Sequence, residues 1–207
     1  MGLYELVVAR RSLESRLSDG ESATLSYEGD GWLQKSDNIG GPELAEREFY
    51  NLLSLSNKGI CPEVNEDEGV YGFPSSFLIE RINNGATLGE YLRVFLEGDM
   101  DVTSLKELLE DVADKINRFH QLGWVHGDLH DRNIVVGPDL VSYIIDLGYS
   151  FRIGEENAGI DVSTIEDADE DNKYLLDALE AIIGEYSDES LCHEAYYCIW
   201  DFGGLLV

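Results

Sequence analysis

An α+β fold is predicted, with short strands in about the first eighty residues and helices through most of the remainder. Three observations carry it. An alternating segment ending at Tyr27 and the run Trp32–Lys35 flank the tight turn Gly29-Asp30-Gly31, as in a hairpin. Leu105, Leu108, Leu109, Val112, Ile116 and Phe119 recur at the spacing of one helix face within Ser104–Leu122. The apolar runs Ile134–Val136 and Tyr143–Ile145 stand on either side of a Gly-Pro-Asp turn, the pattern of a second, shorter hairpin.

With 207 residues, 43% of them apolar, the chain can build one large domain or two small lobes sharing a cleft. Asp and Glu number 42 against 14 Lys and Arg, a net charge of −28 with a pI near 4.1. A surface so negative repels nucleic acid and anionic membrane, so neither is expected as a direct partner. Adaptation to a salt-rich cytoplasm, where screening confines charge repulsion to a few ångströms, accounts for the imbalance. An acidic face for a basic partner is the alternative. The acids spread along the whole chain and only five of the basic residues are lysines, which favours the first account.

Cys61, Cys192 and Cys198 form no CxxC and no zinc-ligand spacing, so buried free thiols in a reducing cytoplasm are expected. The opening MGLYELVVARR places Glu5 inside a short apolar run and lacks a cleavage signature, which argues against a signal peptide. Leu6 occupies the position where a myristoylation signal needs Ser or Thr. No apolar run approaches the length of a membrane span.

In chain order, Leu3–Val8 is a short apolar run able to open a sheet. Leu17–Tyr27 passes from a turn into a strand, and Gly20 there suits either a plain hairpin turn or a loop whose backbone approaches phosphates. After the strand Trp32–Lys35, Pro42 and Glu43 open an amphipathic helix over Gly41–Ser56 with Leu44, Phe49, Leu52 and Leu53 at helical spacing. Gly59–Val64 ends that helix and enters a strand, and Ser76–Ile79 is another. Helices follow over Thr87–Leu96 and Ser104–Leu122. His120 and His126 read as packed, hydrogen-bonded histidines. Phe151–Asp171 is an acidic, glycine-containing loop expected to move, and Asn172–Ile183 and Glu189–Trp200 are helices with apolar faces. Asp201-Phe202-Gly203 is read as a helix end with Gly203 as C-cap, not as a metal motif.

The chemistry lies in Trp124–Ser150. Asp128 follows His126-Gly127, Asn133 comes five residues later, and the second apolar run ends in Asp146-Leu147-Gly148. This order and spacing resembles the catalytic loop and metal-binding turn of the protein-kinase-like phosphotransferases. The resemblance implies a two-lobed protein-kinase-like fold: an N-lobe with a small antiparallel sheet over residues 1–80, a hinge at 81–84, and a short, mainly helical C-lobe over 85–207. It also implies ATP and Mg²⁺, because a migrating phosphoryl group needs cations to neutralise its oxygens and a carboxylate to orient the attacking hydroxyl. By the same resemblance Asp128 is that carboxylate, Asn133 and Asp146 hold magnesium, and Lys35 contacts the ATP phosphates. Glu48 is the best match for the glutamate that pairs with Lys35, with Glu46 as runner-up. Gly20 and Glu21 would cover the nucleotide, and the hinge backbone from Glu80 to Ile82 would bind adenine. Gly127 stands where regulated protein kinases carry the arginine that answers a phosphorylated activation loop, which implies independence from that switch.

Within this superfamily, the His-Gly-Asp-Leu loop and the Gly-Glu-Ser-Ala turn at Gly20–Ala23 resemble the small atypical protein kinases of the KEOPS tRNA-modification complex. The basic stretch of those proteins is missing, and His130 replaces their threonine. The resemblance implies a serine or threonine of a protein as acceptor, with autophosphorylation at Ser163 or Thr164. Aminoglycoside- and choline-type kinases, which act on small molecules, share the same loop and stand as the rival. A kinase-like ATPase or interaction subunit bound to a protein partner is the third reading.

Overall fold

The computed structural model describes residues 23–29, 31–37, 41–55, 57–67, 69–70, 76–82, 85–153 and 167–206. The expectations for Leu3–Val8, Gly20, Glu21, Ser163 and Thr164 fall outside them, as do most of the acidic loop and residues 83–84 of the hinge.

Among the described residues, three short antiparallel sheets and a helical layer make the two-lobed, protein-kinase-like α+β fold. In the smaller lobe, β1 (Ala23–Gly29), β2 (Trp32–Asp37) and β3 (Ser76–Glu80) pair in that order, with Lys35 between Leu25 and Phe77. Helix α1 (Gly41–Leu55) lies on this sheet and packs Phe49 edge-on against Phe77 at 5.8 Å. The larger lobe opens with β4 (Ala86–Thr87) and α2 (Leu88–Leu96), followed by the long α3 (Val102–Gln121) and the two-residue strand β5 (Trp124–Val125). Its hairpin, β6 (Ile134–Val136) and β7 (Ser142–Ile144), pairs with β4. Strand β8 (Phe151–Arg152) returns to pair with β5, and α4 (Ala168–Ile183) and α5 (Glu189–Gly203) close the lobe. One apolar core runs through both lobes, from Leu52 and Phe77 through Tyr91, Phe95, Ile116 and Phe119 to Leu179 and Phe202. Burying each such side chain contributes roughly 1.5–3 kcal/mol, so the lobes are bound by the same force that folds each of them.

Capping decides where the helices begin. Thr87 Oγ1 accepts from the Glu90 amide at 3.2 Å, while the Thr87 amide donates to Glu90 Oε2 at 2.6 Å. This reciprocal box makes Thr87 the cap of α2, not its first residue. Asp101 likewise accepts from the Thr103 and Ser104 amides and starts α3 two residues ahead of the expected Ser104. Thr87→Ala is expected to cost about 1 kcal/mol in urea denaturation; an unchanged midpoint would show that the box is idle.

Three expectations need correction. Gly59–Val64 is not a strand: Gly59 takes a left-handed φ of 64°, Pro62 has no amide to donate, and among the described residues the segment forms one isolated bridge, Val64 to Ile79. Gly203 is the last residue of α5, and Gly204 caps it. Of the three free cysteines, Cys61 and Cys198 are buried but Cys192 is only half-buried. Among the described residues, no helix is long and apolar enough to cross a membrane.

Candidate active site

The loop that follows β5 is held by its backbone. His126 is fully buried, its Nε2 donating to the Ile145 carbonyl at 2.9 Å and its Nδ1 accepting from the Asp128 amide at 3.2 Å. One ring thereby ties Asp128 to the end of the hairpin. Asp171, fully buried in the first turns of α4, accepts from the amides of His126 and Gly127, the latter at 3.0 Å. Asn133 is buried as well, and its Nδ2 donates to the Asp128 carbonyl at 2.9 Å. The register of β6 against β7 sets Ile134 opposite Ile144, and the Ile145 amide bonds the Asn133 carbonyl at 2.9 Å. Asn133 and Asp146 therefore sit at the same end of one hairpin.

Asp146 adopts a left-handed backbone, φ 64° and ψ 54°, which short polar residues tolerate better than others. Its Oδ1 lies 2.7 Å from Lys35 Nζ, and the same ammonium lies 2.7 Å from Glu48 Oε1. Lys35 thus joins the small sheet, helix α1 and the hairpin end in a single contact. Glu48 is buried at this junction, whereas Glu46 is exposed.

Burial alone would lower the Lys35 pKa, but the charges of Glu48 and Asp146 reverse the effect and hold it above the ordinary lysine value. Burial pushes Glu48 up against the pull of Lys35. Burial acts on Asp146 in the same sense, yet the lysine wins there and holds the carboxyl below its usual range. Its side chain is 43% exposed, so an ionised carboxylate is presented to the cleft. Asp128 is raised by burial, which outweighs the pull of His130, and His130 is lowered by burial against the pull of Asp128. The His130 Nε2 stands 3.7 Å from Asp128 Oδ2, while its Nδ1 accepts from the Arg132 amide at 3.1 Å.

The carboxylate of Asp146 and the amide of Asn133 are hard oxygen donors of the kind that magnesium takes, usually one or two from protein with the rest from water and phosphate. The cation of Lys35 beside them suits the oxygens of a polyphosphate. Elsewhere, Glu80 is exposed at the end of β3 and accepts from the Glu63 amide through Oε2 at 3.2 Å. Ile82 flanks Gly85, where an added Cβ would come within 2.6 Å of Val135 Cγ1 and 2.9 Å of Ile82 Cγ2.

Sequence reasoning missed Asp171, Arg47, Asn51 and Ser150. Asp171 carried a usable signal: it lies four residues before Leu175 and eight before Leu179, on the stripe that α4 buries. Arg47 and Asn51 had none, since both bond main-chain carbonyls, and such acceptors leave no mark in the sequence.

Residues 45–155, more than half of the chain, match the Lipopolysaccharide kinase (Kdo/WaaP) family. Similarity extends to Ephrin type-A receptor 7 of Gallus gallus, 32% identical over 132 residues, 63% of this chain and 13% of that receptor. Ephrin type-B receptor 4 of Homo sapiens is 34% identical over 121 residues, 58% of this chain and 12% of the receptor. The chain thus spans about an eighth of the length of these curated relatives.

Proposed function

Because this chain belongs to the lipopolysaccharide kinase (Kdo/WaaP) family, we propose that it transfers the γ-phosphate of ATP to a hydroxyl, with serine or threonine of a protein as acceptor. The observation that carries this reading is the Lys35 ammonium, 2.7 Å from both Glu48 and Asp146. A lysine so placed meets the phosphates as a fixed cation, and Glu48 keeps it from swinging away. Magnesium, when bound, neutralises charge on the phosphate oxygens; Asp146 and Asn133 are the side chains that would hold it. Asp128 orients the acceptor hydroxyl and takes up its proton. Glu80, which ends the N-lobe of 1–80, and Ile82, within the hinge of residues 81–84 that leads to a C-lobe of 85–207, offer backbone to adenine, and Gly20 and Glu21 cover the phosphates.

A protein acceptor is supported by the resemblance of the Asp128 loop to the compact KEOPS protein kinases, which also makes a protein partner part of this reading. One observation favours a second acceptor. The matched family is named for lipopolysaccharide kinases, and a sugar hydroxyl is attacked through the same carboxylate and lysine. The charge of −28 supports work in a salt-rich cytoplasm, where carboxylates keep the surface hydrated.

Incubation with labelled ATP and magnesium in multimolar KCl, with a cell extract or a panel of sugars and amino alcohols, tests the proposal. Label recovered as phosphoserine or phosphothreonine, on the chain itself or on another protein, supports the first acceptor. Label in a sugar moves the assignment to the second. Hydrolysis without transfer leaves an ATPase module, and no nucleotide uptake by calorimetry overturns the reading.

A further inference from the structure

Helices α4 and α5 pack against each other, and a cavity of about 550 Å³ opens along their junction. Leu176 and Glu180 line it from α4. His193, Tyr196, Tyr197 and Trp200 line it from α5, at the spacing of one helix face. Gly203 lets the end of α5 approach α4 closely, since a Cβ there would stand 3.4 Å from Leu176 Cδ1. None of these residues belongs to the cleft at Lys35 and Asp128, and the volume is that of a site able to enclose a side chain or a small ligand.

The rings face water: Trp200 is 82% exposed, Tyr197 59% and Tyr196 44%. The His193 and Tyr197 rings meet edge-on with centroids 4.6 Å apart, which braces both. Single exposed apolar residues are ordinary, but three large rings gathered around one cavity mark a binding surface. Charge identifies what fits it. Residues 167–206 carry ten exposed Asp and Glu against one basic residue, Lys173, a steeper imbalance than the 42 to 14 of the whole chain. Glu180 adds its carboxylate to the aromatic wall itself. Ring faces and a carboxylate both attract a cation, tryptophan most strongly among the rings. A guanidinium suits the pair best, being planar, weakly hydrated and able to stack on a ring while it pairs with a carboxylate. A second copy of this chain would bring −28 against −28, which opposes self-association through this face.

We propose that the α4–α5 cavity docks an arginine-bearing segment of a basic protein partner, with one guanidinium held between the aromatic rings and Glu180. The two kinds of contact answer salt differently. Carboxylates around the cavity act over a Debye length, about 3 Å at 1 M, so their pull fades as salt rises. Ring stacking acts only in contact and persists. The rings therefore carry the anchor in multimolar KCl, and the surrounding acids guide the segment in at low salt. The docking is independent of phosphotransfer, because it uses no residue assigned to that reaction.

The test is calorimetric titration of the whole chain, without nucleotide, with a short synthetic arginine-rich peptide, with the same peptide carrying citrulline for arginine, and with free tetramethylammonium. Wild type, Trp200→Ala and Glu180→Gln are compared at low salt and in multimolar KCl. The expected result is that citrulline weakens binding about tenfold or more, and that Trp200→Ala does the same at both salt concentrations. Glu180→Gln weakens it about twofold to fivefold at low salt and less in KCl. Equal affinity for the arginine and citrulline peptides overturns the proposal, as does wild-type affinity in Trp200→Ala. Tetramethylammonium binding as tightly as the peptide also overturns it, because the cavity then takes a lone small cation. So does a wild-type dimer in sedimentation that Trp200→Ala abolishes, because a second copy then covers the face. Trp200 lies largely in solvent, so its loss should leave the fold intact; should that variant not fold, Tyr197→Ser carries the same comparison.

Discussion

Asn in place of Asp128 is expected to reduce phosphate transfer by about 10²–10⁴-fold, with the melting temperature and nucleotide affinity close to those of wild type. The division follows from what each part of the residue does. Its amide donates to His126 Nδ1 and its carbonyl accepts from Asn133 Nδ2, so the architecture of the loop rests on the Asp128 backbone, which the substitution leaves alone. The side chain is 40% exposed, and the His130 Nε2 stands 3.7 Å from it. An amide of the same shape fills the space but accepts no proton from a hydroxyl. Single-turnover transfer measured beside a thermal melt separates the two roles. A variant that transfers at the wild-type rate would remove Asp128 from the mechanism.

The legible part of this site is the part written in contiguous residues. Asp128, Asn133 and Asp146 fall within one short stretch, and the apolar runs between them announce the hairpin that gathers them. Lys35 and Glu48 were readable only through the family resemblance, which left Glu46 as runner-up; in the structure the buried Glu48 is the one that meets Lys35, and Glu46 is exposed. What stayed hidden depends on backbone groups or on a choice between equivalent faces. Helix α5 shows the second case. Ala195, Cys198, Ile199 and Phe202 are buried, while His193, Tyr196, Tyr197 and Trp200 repeat the same spacing one step round and are exposed, Trp200 at 82%. Periodicity finds both stripes and cannot rank them, because only the neighbouring helices decide which one meets the core. The misread strand at Gly59–Val64 is the first case: its apolar residues are buried, but the segment crosses between sheets, and its Ile60 carbonyl is taken by the Ile144 amide at 2.9 Å.

Asp171→Ala is expected to be the most damaging single substitution for stability. The carboxylate is fully buried and accepts the amides of His126 and Gly127, with His120 Nε2 at 3.4 Å. Alanine leaves two backbone donors facing a cavity, and removing one partner of a buried charged arrangement of this kind costs about 3–5 kcal/mol. For a chain of this size that lowers the melting temperature by about 6–20 °C. Asparagine is not a remedy, since one of the two amides would face its NH₂ group and meet a donor where it needs an acceptor. Both variants should also lose transfer more steeply than stability, because His126 and Gly127 lead directly into Asp128, and freeing their amides releases the loop that aims its carboxylate. Calorimetric melting of Asp171→Ala and Asp171→Asn in multimolar KCl decides the matter. If either variant melts with wild type, the buried carboxylate is not what anchors the loop, and the positioning of Asp128 must come from His126 and Asn133 alone.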